Sequence, residues 1–504
     1  MAFTMLTETL GYLRLDMTTI LIVIVATLVI HQFLLKPRYQ PPLPPSPMMS
    51  LPVIGHLYLL DYDVRKAFRK FRRRLGDVYS LQMGERLVIV ISGYETLKEA
   101  FIKQGDNFNS RPRMFLTEKY FRRKGILLTS GDAWKEHRTF SMNTLKNFGM
   151  GKSFLEDKIH VEVVGLIEDM KKCVNIPVDP KAMLSAHVVN VISSMVFKGQ
   201  FKHDDHRLVK MIDVVEDRIQ FAAGVANFLP WLSKLPGDPL KLKKLSKDTE
   251  QMYEYAADII ADHEKDFNEN DIDDLTSAYI HEMRRLKDAG MSTTMDYDHL
   301  TATINDLFMA GSHTVATTLR WSIPCLVQFS HIQEKLHKEI VDAIGSDKLP
   351  SMEDKPRLVY LEAFYLELLR YITLIITSGI HATSIDRVFK GFTIPHDAVI
   401  LPDLDSVLHD TDIWGDPEQF RPERFVDEAG NLKKKDELII FFLGKRNCLG
   451  ESLARVELLL FLGALIQTFK FESCPGETLT VEKVDGKFGF AHTPLPYKVK
   501  ITLR

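Results

Sequence analysis

The chain has 504 residues, 45% hydrophobic and 26% charged, and a formal net charge of -3. That near-neutral balance gives a nucleic-acid partner no bulk electrostatic support. Its cysteines, Cys173, Cys325, Cys448 and Cys474, form no CxxC pair, which argues against a disulfide framework or a zinc site and points to a reducing compartment.

From Met17 to Leu35 the stretch MTTILIVIVATLVIHQFLL runs nineteen residues without a charge. At 1.5 Å per residue a helix of that length spans about 28 Å, close to the roughly 30 Å hydrocarbon core of a bilayer. The run is long for a secretory signal, and no small-x-small cleavage pattern follows it. Lys36 and Arg38 come after it, against Arg14 alone before it, which orients the bulk of the chain toward the cytosol. The chain therefore divides into a membrane anchor over 1–36, a proline-rich hinge over 37–56 and one body over 57–504. In the hinge, PRYQPPLPPSPMMSLPVIGH, the prolines forbid helix and predict a stiff, extended spacer.

In the body, VYSLQMGERLVIVISG (Val78 to Gly93) predicts two strands around a turn at Gly84 and Glu85. Beyond Gly93 apolar residues recur at three-and-four spacing, as in LEDKIHVEVVGLIEDMKK (Leu155 to Lys172), and predict helices. VANFLPWLSKLPG (Val225 to Gly237) puts Phe228, Leu229, Trp231 and Leu232 in a loop broken by Pro230 and Pro236. Such a loop either packs between helices or dips into a membrane interface. A long helix is expected from Asp298 to beyond Leu326, and short strands at FKGFTIP (Phe389 to Pro395) and YKVKITLR (Tyr497 to Arg504). The predicted body is mainly α with a minor β-sheet.

Several of these stretches carry chemistry. In DLFMAGSHTVATTLRW (Asp306 to Trp321), Gly311 costs the helix about 1 kcal/mol relative to alanine. Beside Ala310 it leaves the helix bare, with room for a small ligand. Thr314 can bond back to an i−4 carbonyl or donate to a ligand. In YLEAFYLELLRYITL, Glu367 and Arg370 share a helix face, as do Trp134 and Arg138 in WKEHR.

FFLGKRNCLG (Phe441 to Gly450) boxes Cys448 between two glycines and two cations. A metal thiolate needs a sulfur deprotonated at neutral pH, whereas a free thiol titrates near 8.5. A metal and a helix N-terminus both lower that value. The apolar helical run ESLARVELLLFLGALIQ follows at once, its first N–H groups free to point at the sulfur. Gly444 and Gly450 permit a tight turn and close approach to a flat ligand. Arg446 is a planar cation suited to a carboxylate, and Phe441 can shield the sulfur from water.

FFLGKRNCLG resembles the haem-binding signature of the cytochrome P-450 family at Phe441, Gly444, Arg446, Cys448 and Gly450; Phe442 departs from the usual small or polar residue. Glu367 and Arg370 resemble the family's buried pair, closed by an arginine from a segment that FRPERF matches, which nominates Arg424. The hinge, NFNSRP and the Asp306–Trp321 stretch look most like the animal microsomal family-2-like branch.

The resemblance implies a large, mostly helical P-450 domain holding haem b, with Cys448 as axial thiolate. Trp134 and Arg138 would bind one propionate and His381, in GIHATSIDRVFKGFTIP, the other. Thr314 would serve oxygen activation. The family places an acid before that threonine; His313 stands there instead, so proton delivery is expected with a different pH dependence, or through water. The pocket would be bordered by Phe115 and the segment to Phe121, by Ala310 and Gly311, by Ile375 and Ile376 in Leu374–Ser378, and by Phe488 and Phe490 in Phe488–His492. That mostly apolar set suits a lipophilic substrate.

The implied reaction is insertion of one oxygen atom from O2 into a steroid, fatty acid or foreign lipophile. Electrons would come from NADPH through NADPH-cytochrome P-450 reductase, with cytochrome b5 as an accessory donor. Lys135, Lys146, Lys445 and Arg455 are candidates for the basic docking face. The implied location is the endoplasmic reticulum membrane, single-pass, with the body in the cytosol. Two alternatives stay open at this point: a haem-thiolate isomerase or dehydratase acting on a lipid peroxide without O2, and a non-catalytic haem-binding protein.

Overall fold

The computed structural model describes residues 41–148, 153–199, 201, 206–222 and 224–504, with isolated positions 19, 22 and 23. The candidate anchor at Met17–Leu35, and the cations flanking it, lie otherwise outside the described residues. Among the described residues no helix is long and apolar enough to cross a membrane.

The body is mainly helical. Its longer helices are α1 (Val64–Leu75), α2 (Gly131–Asn147), α3 (Ser153–Lys171), α4 (Lys181–Val196), α5 (His206–Ala222), α6 (Leu242–Lys265), α7 (Leu275–Asp288), α8 (Tyr297–Gln328), α9 (Ser330–Ile344), α10 (Val359–Ile372) and α11 (Glu451–Thr468). Two helices expected from periodicity, near 155–172 and 298–326, are α3 and α8. Asp296 starts α8 by accepting the His299 N–H at its carboxylate, satisfying a donor that the first turn leaves free. Pro324 sits inside α8.

Strands β1 (Val78–Met83) and β2 (Arg86–Ser92) pair antiparallel around the expected turn. Strand β5 (Val399–Asp403) then adds parallel to β2, a long-range pairing that alternation in the sequence could not announce. Among the described residues three separate two-stranded sheets accompany it: β3 (Arg387–Phe389) with β4 (Phe392–Ile394), β6 (Phe469–Glu472) with β9 (Lys500–Leu503), and β7 (Gly486–Phe488) with β8 (His492–Pro494).

From Pro41 onward the hinge is hydrogen-bonded to the body. Proline carbonyls remain good acceptors: Pro42 O takes the Thr393 N–H at 2.7 Å and Pro45 O the Ser80 N–H at 2.8 Å. Within Val225–Gly237 the loop is packed in part and exposed in part. Phe228 packs into the cluster around β1, whereas Val225, Trp231 and Leu235 are exposed.

Two helices position the site. The central helix α8 lies against α4 because Gly311 has no side chain: a Cβ there would stand 2.7 Å from Ile192 Cγ1. The glycine is thus used for close helix contact as well as for openness. Helix α11 is apolar nearly all round, buried at Leu453 and from Val456 to Gln467. Its N-terminus therefore carries the cysteine loop to a fixed point beneath α8.

Candidate active site

One large cavity, of about 310 Å³, is bordered by Cys448 and by Thr314. Cys448 is exposed to this space, although protein surrounds it on its other sides. Its N–H donates to Phe441 O at 2.8 Å, closing the loop on itself. The turn needs Gly444 at φ +69°, pressed against the Phe101 carbonyl. Nothing lies within 4 Å of where a Gly450 Cβ would stand, so that edge of the cavity stays flat. Burial pushes the thiol up, while the Gly450 N–H and Arg138 pull it down. Arg455 covers the Phe441 ring, its guanidinium 5.0 Å from the centroid.

Behind the loop, Glu367 and Arg370 form a bidentate pair at 2.7 and 2.8 Å, both fully buried. Glu367 Oε1 also accepts from Arg424 Nε at 3.2 Å and from the Arg421 N–H at 2.9 Å. Arg370 also donates to the carbonyls of Leu408 and Pro417. The trio nominated from the sequence meets in space.

Three guanidinium groups face the cavity: Arg111, Arg138 and Arg446. Arg446 bonds the carbonyls of Asn109, Ile126 and Thr129, and Arg111 those of Leu127, Gly379 and Ile380. Arg138 bonds Asn447 at its backbone and side-chain oxygens. Every one of these acceptors is neutral. Burial lowers all three; repulsion from Arg138 adds to it at Arg111, which falls to about 10, and repulsion from both neighbours adds to it at Arg446, which falls to about 8. Trp134 lies under Arg446 at 3.8 Å, and its buried Nε1–H has no partner. The buried His381 Nε2 is also unpartnered.

This donor set fits haem. A thiol on the floor, a flat open edge at Gly450 and apolar walls suit the macrocycle. Unpartnered Trp134 and unneutralised arginines suit its two carboxylates. Arg111 stands before Pro112 in NFNSRP, where no periodic signal marks it as a site residue.

On the α8 side, Ala310, Gly311 and Thr314 border the cavity, and Thr314 Oγ1 donates to Ala310 O at 2.9 Å. Asp306 borders it too, one helical repeat earlier on the same face. Its Oδ2 accepts the N–H groups of Ile126 and Leu127, both at 2.8 Å, which ties the opposite wall to α8. Burial raises its carboxyl to about 6. The 306–310–314 spacing was a signal that could have found it.

His313 lies on the rear of α8. Its Nε2 approaches the hydroxyls of Thr317 and Thr493 at 3.4 and 3.3 Å, beside a cavity of about 20 Å³ shared with Lys181, Glu216 and Arg320. Burial lowers it to about 4.

Ile375 and Phe490 border the main cavity. Ile376, Phe115 and Phe488 do not. Ile376 is buried with its carbonyl bonded to Leu404, and Phe115 packs edge-on to Tyr120 at 6.3 Å. Phe488 stacks on His492 at 4.5 Å with Arg65 over it at 4.7 Å. Of the proposed docking cations, Lys135, Lys445 and Arg455 already bond Asp132, Asp106 and Glu451.

Comparison with known proteins matches residues 44–501 to the family described as cytochrome P450. Cytochrome P450 2E1 of Rattus norvegicus is 32% identical over 496 residues, 97% of this chain and 99% of that one. Cytochrome P450 2C13, male-specific, of the same organism is 35% identical over 437 residues, covering 86% and 88%. Cytochrome P450 2C25 of Mesocricetus auratus is 32% identical over 497 residues, covering 96% and 99%. With Cys448 at the floor of the cavity and such relatives along nearly its whole length, the chain belongs to the cytochrome P450 family, as a haem-thiolate monooxygenase related to the family-2 members.

Proposed function

We propose that this monooxygenase acts on a small lipophilic substrate, with electrons from NADPH through a membrane-bound reductase. The observation that carries the reading is the shared cavity: Cys448 on one side, Thr314 on the other, and apolar walls from Leu307, Leu374, Ile375 and Phe490 between. The haem, when held there by Cys448, supplies reductive activation of O2 and transfer of one oxygen atom to carbon, its thiolate ligand favouring O–O cleavage.

The chain's own residues do the rest. Arg111, Arg138, Arg446 and Trp134 hold the carboxylates, and the Glu367–Arg370–Arg424 trio braces the loop. The apolar wall orients the substrate and excludes water. Thr314 turns its hydroxyl from Ala310 O toward the cavity and donates a hydrogen bond there. Proton donation is assigned to Thr314 in preference to His313, whose imidazole opens on the rear cavity. The nineteen-residue uncharged N-terminal run supports attachment to the endoplasmic reticulum membrane.

The test is a difference-spectrum screen of lipophiles on the purified holoenzyme, followed by product identification with NADPH and reductase. Products that form only with both, and carry one atom from labelled O2, are the expected result. Conversion of a lipid hydroperoxide without NADPH would favour an isomerase or dehydratase instead.

A further inference from the structure

Phe442, which departs from the family's small or polar residue, has a backbone as uncommon as its side chain. Its φ is +65°, in the left-handed region that a bulky residue rarely occupies. Its ring packs on Phe101, with centroids 4.8 Å apart, and on His381, at 5.3 Å. Phe101 and His381 are themselves 4.8 Å apart, so the three rings close a triangle. Both partners are anchored. Phe101 is buried on the π-helical turn Glu99–Lys103, a rare geometry that favours functional sites. His381 exchanges backbone hydrogen bonds with Ile400 at 2.8 and 2.7 Å, and its Nδ1 donates to Phe108 O at 2.7 Å. Phe442 itself borders the main cavity, beside Phe441 and Cys448.

We propose that Phe442 is a positioning residue for the thiolate: its ring, docked on Phe101 and His381, holds the backbone left-handed and so sets how the loop presents Cys448. The inference rests on the haem-thiolate assignment above. One planar peptide links Phe441 to Phe442. Its N–H, on Phe442, donates to Ile439 O at 2.9 Å, and its carbonyl, on Phe441, accepts the Cys448 N–H at 2.8 Å. A change of φ at Phe442 turns that peptide, and with it the acceptor that closes the cysteine loop. Two left-handed residues, Phe442 and Gly444, flank Leu443, and both lie against Phe101, one by its ring and the other by its backbone. Glycine takes such a φ without strain. Phenylalanine takes it here because aromatic contacts offset the strain. With the ring removed, any other L-residue relaxes toward negative φ, and the Phe441 carbonyl leaves Cys448.

The test uses the holoenzyme. The sulfur-ligated band of the reduced carbon monoxide complex reports the thiolate; its absence from the wild type would overturn the haem-thiolate assignment and this proposal together. Conversion of that band to the one of haem without its thiolate is timed below the temperature of global unfolding, which circular dichroism monitors. Phe442→Ala loses the ring and keeps the strain, so conversion should be about tenfold faster than in the wild type. Phe442→Gly loses both, so its conversion should be slower than that of the alanine form. That order is the signature, because a ring that merely filled space would leave the larger void, and the worse protein, with glycine. An alanine form that loads no haem beside a glycine form that does would show the same order. A wild-type rate in the alanine form, a glycine form as fast as the alanine form or faster, or loss of haem from both overturns the proposal and leaves the haem-thiolate assignment standing.

Discussion

The Cβ that Gly444 lacks would stand 1.9 Å from the carbonyl oxygen of Phe101. Backbone on one side and a left-handed φ of +69° on the other leave no room for a side chain. Gly444→Ala must therefore displace the cysteine loop from the segment at Phe101. The expected result is little or no haem-loaded protein, read as the ratio of Soret to protein absorbance. A variant that loads haem normally would mean the loop is not held there.

Glu367 is fully buried between two arginines. Removing one partner of a buried ion pair costs about 3–5 kcal/mol, because the other charge stays behind. Glu367→Ala should lower unfolding free energy by roughly that amount, measured by denaturant titration. An effect under about 1 kcal/mol would show that water reaches the pair.

Much of this arrangement was legible in the chain itself, for identifiable reasons. The Cys448 loop and the Glu367–Arg370 pair are local: fixed spacings on a turn or on one helix face decide them. Helices α3 and α8 follow from apolar periodicity. Arg111 and Asp306 were missed because their roles appear only when distant segments meet, Arg111 with Gly379 and Asp306 with Ile126. Phe488 was placed in the pocket on resemblance, yet Arg65 and His492 draw its ring aside. Resemblance set His313 beside Thr314 as a candidate, yet successive helix residues face about 100° apart, and with Thr314 on the cavity the imidazole lies at the rear.

Thr314→Ala removes the hydroxyl that borders the cavity while leaving the wall apolar. We expect hydrogen peroxide released per NADPH consumed to rise several-fold, with haem content unchanged. Thr314→Ser, which keeps a donor, should restore much of the coupling. Equal coupling in all three proteins would remove Thr314 from the chemistry.

His313, His137 and His492 are each lowered to about 4, with burial as the main cause. The fold favours their neutral forms, so their contribution is fully present above the unfolded value of about 6.5. It is lost as pH falls from there toward 4, on the order of 3 kcal/mol for each. Thermal unfolding midpoints should fall steeply over that window. His313→Gln should reduce the slope by about one proton. Because His313 stays neutral from about pH 6 to about pH 8, the same variant should leave the shape of the turnover profile there unchanged.

Arg111, Arg138 and Arg446 crowd one cavity, hydrogen-bond only to neutral oxygens, and have a single lining carboxylate, Asp306, which favours Arg111 alone. A newly made chain therefore lacks the one ingredient that reconciles them until its prosthetic group arrives. Supply of that group would act as a licence for the protein to accumulate. In cells starved of porphyrin synthesis, pulse-labelled chains should be degraded faster than in replete cells. Replacing Arg446 by glutamine should narrow the difference, by easing the repulsion at its centre.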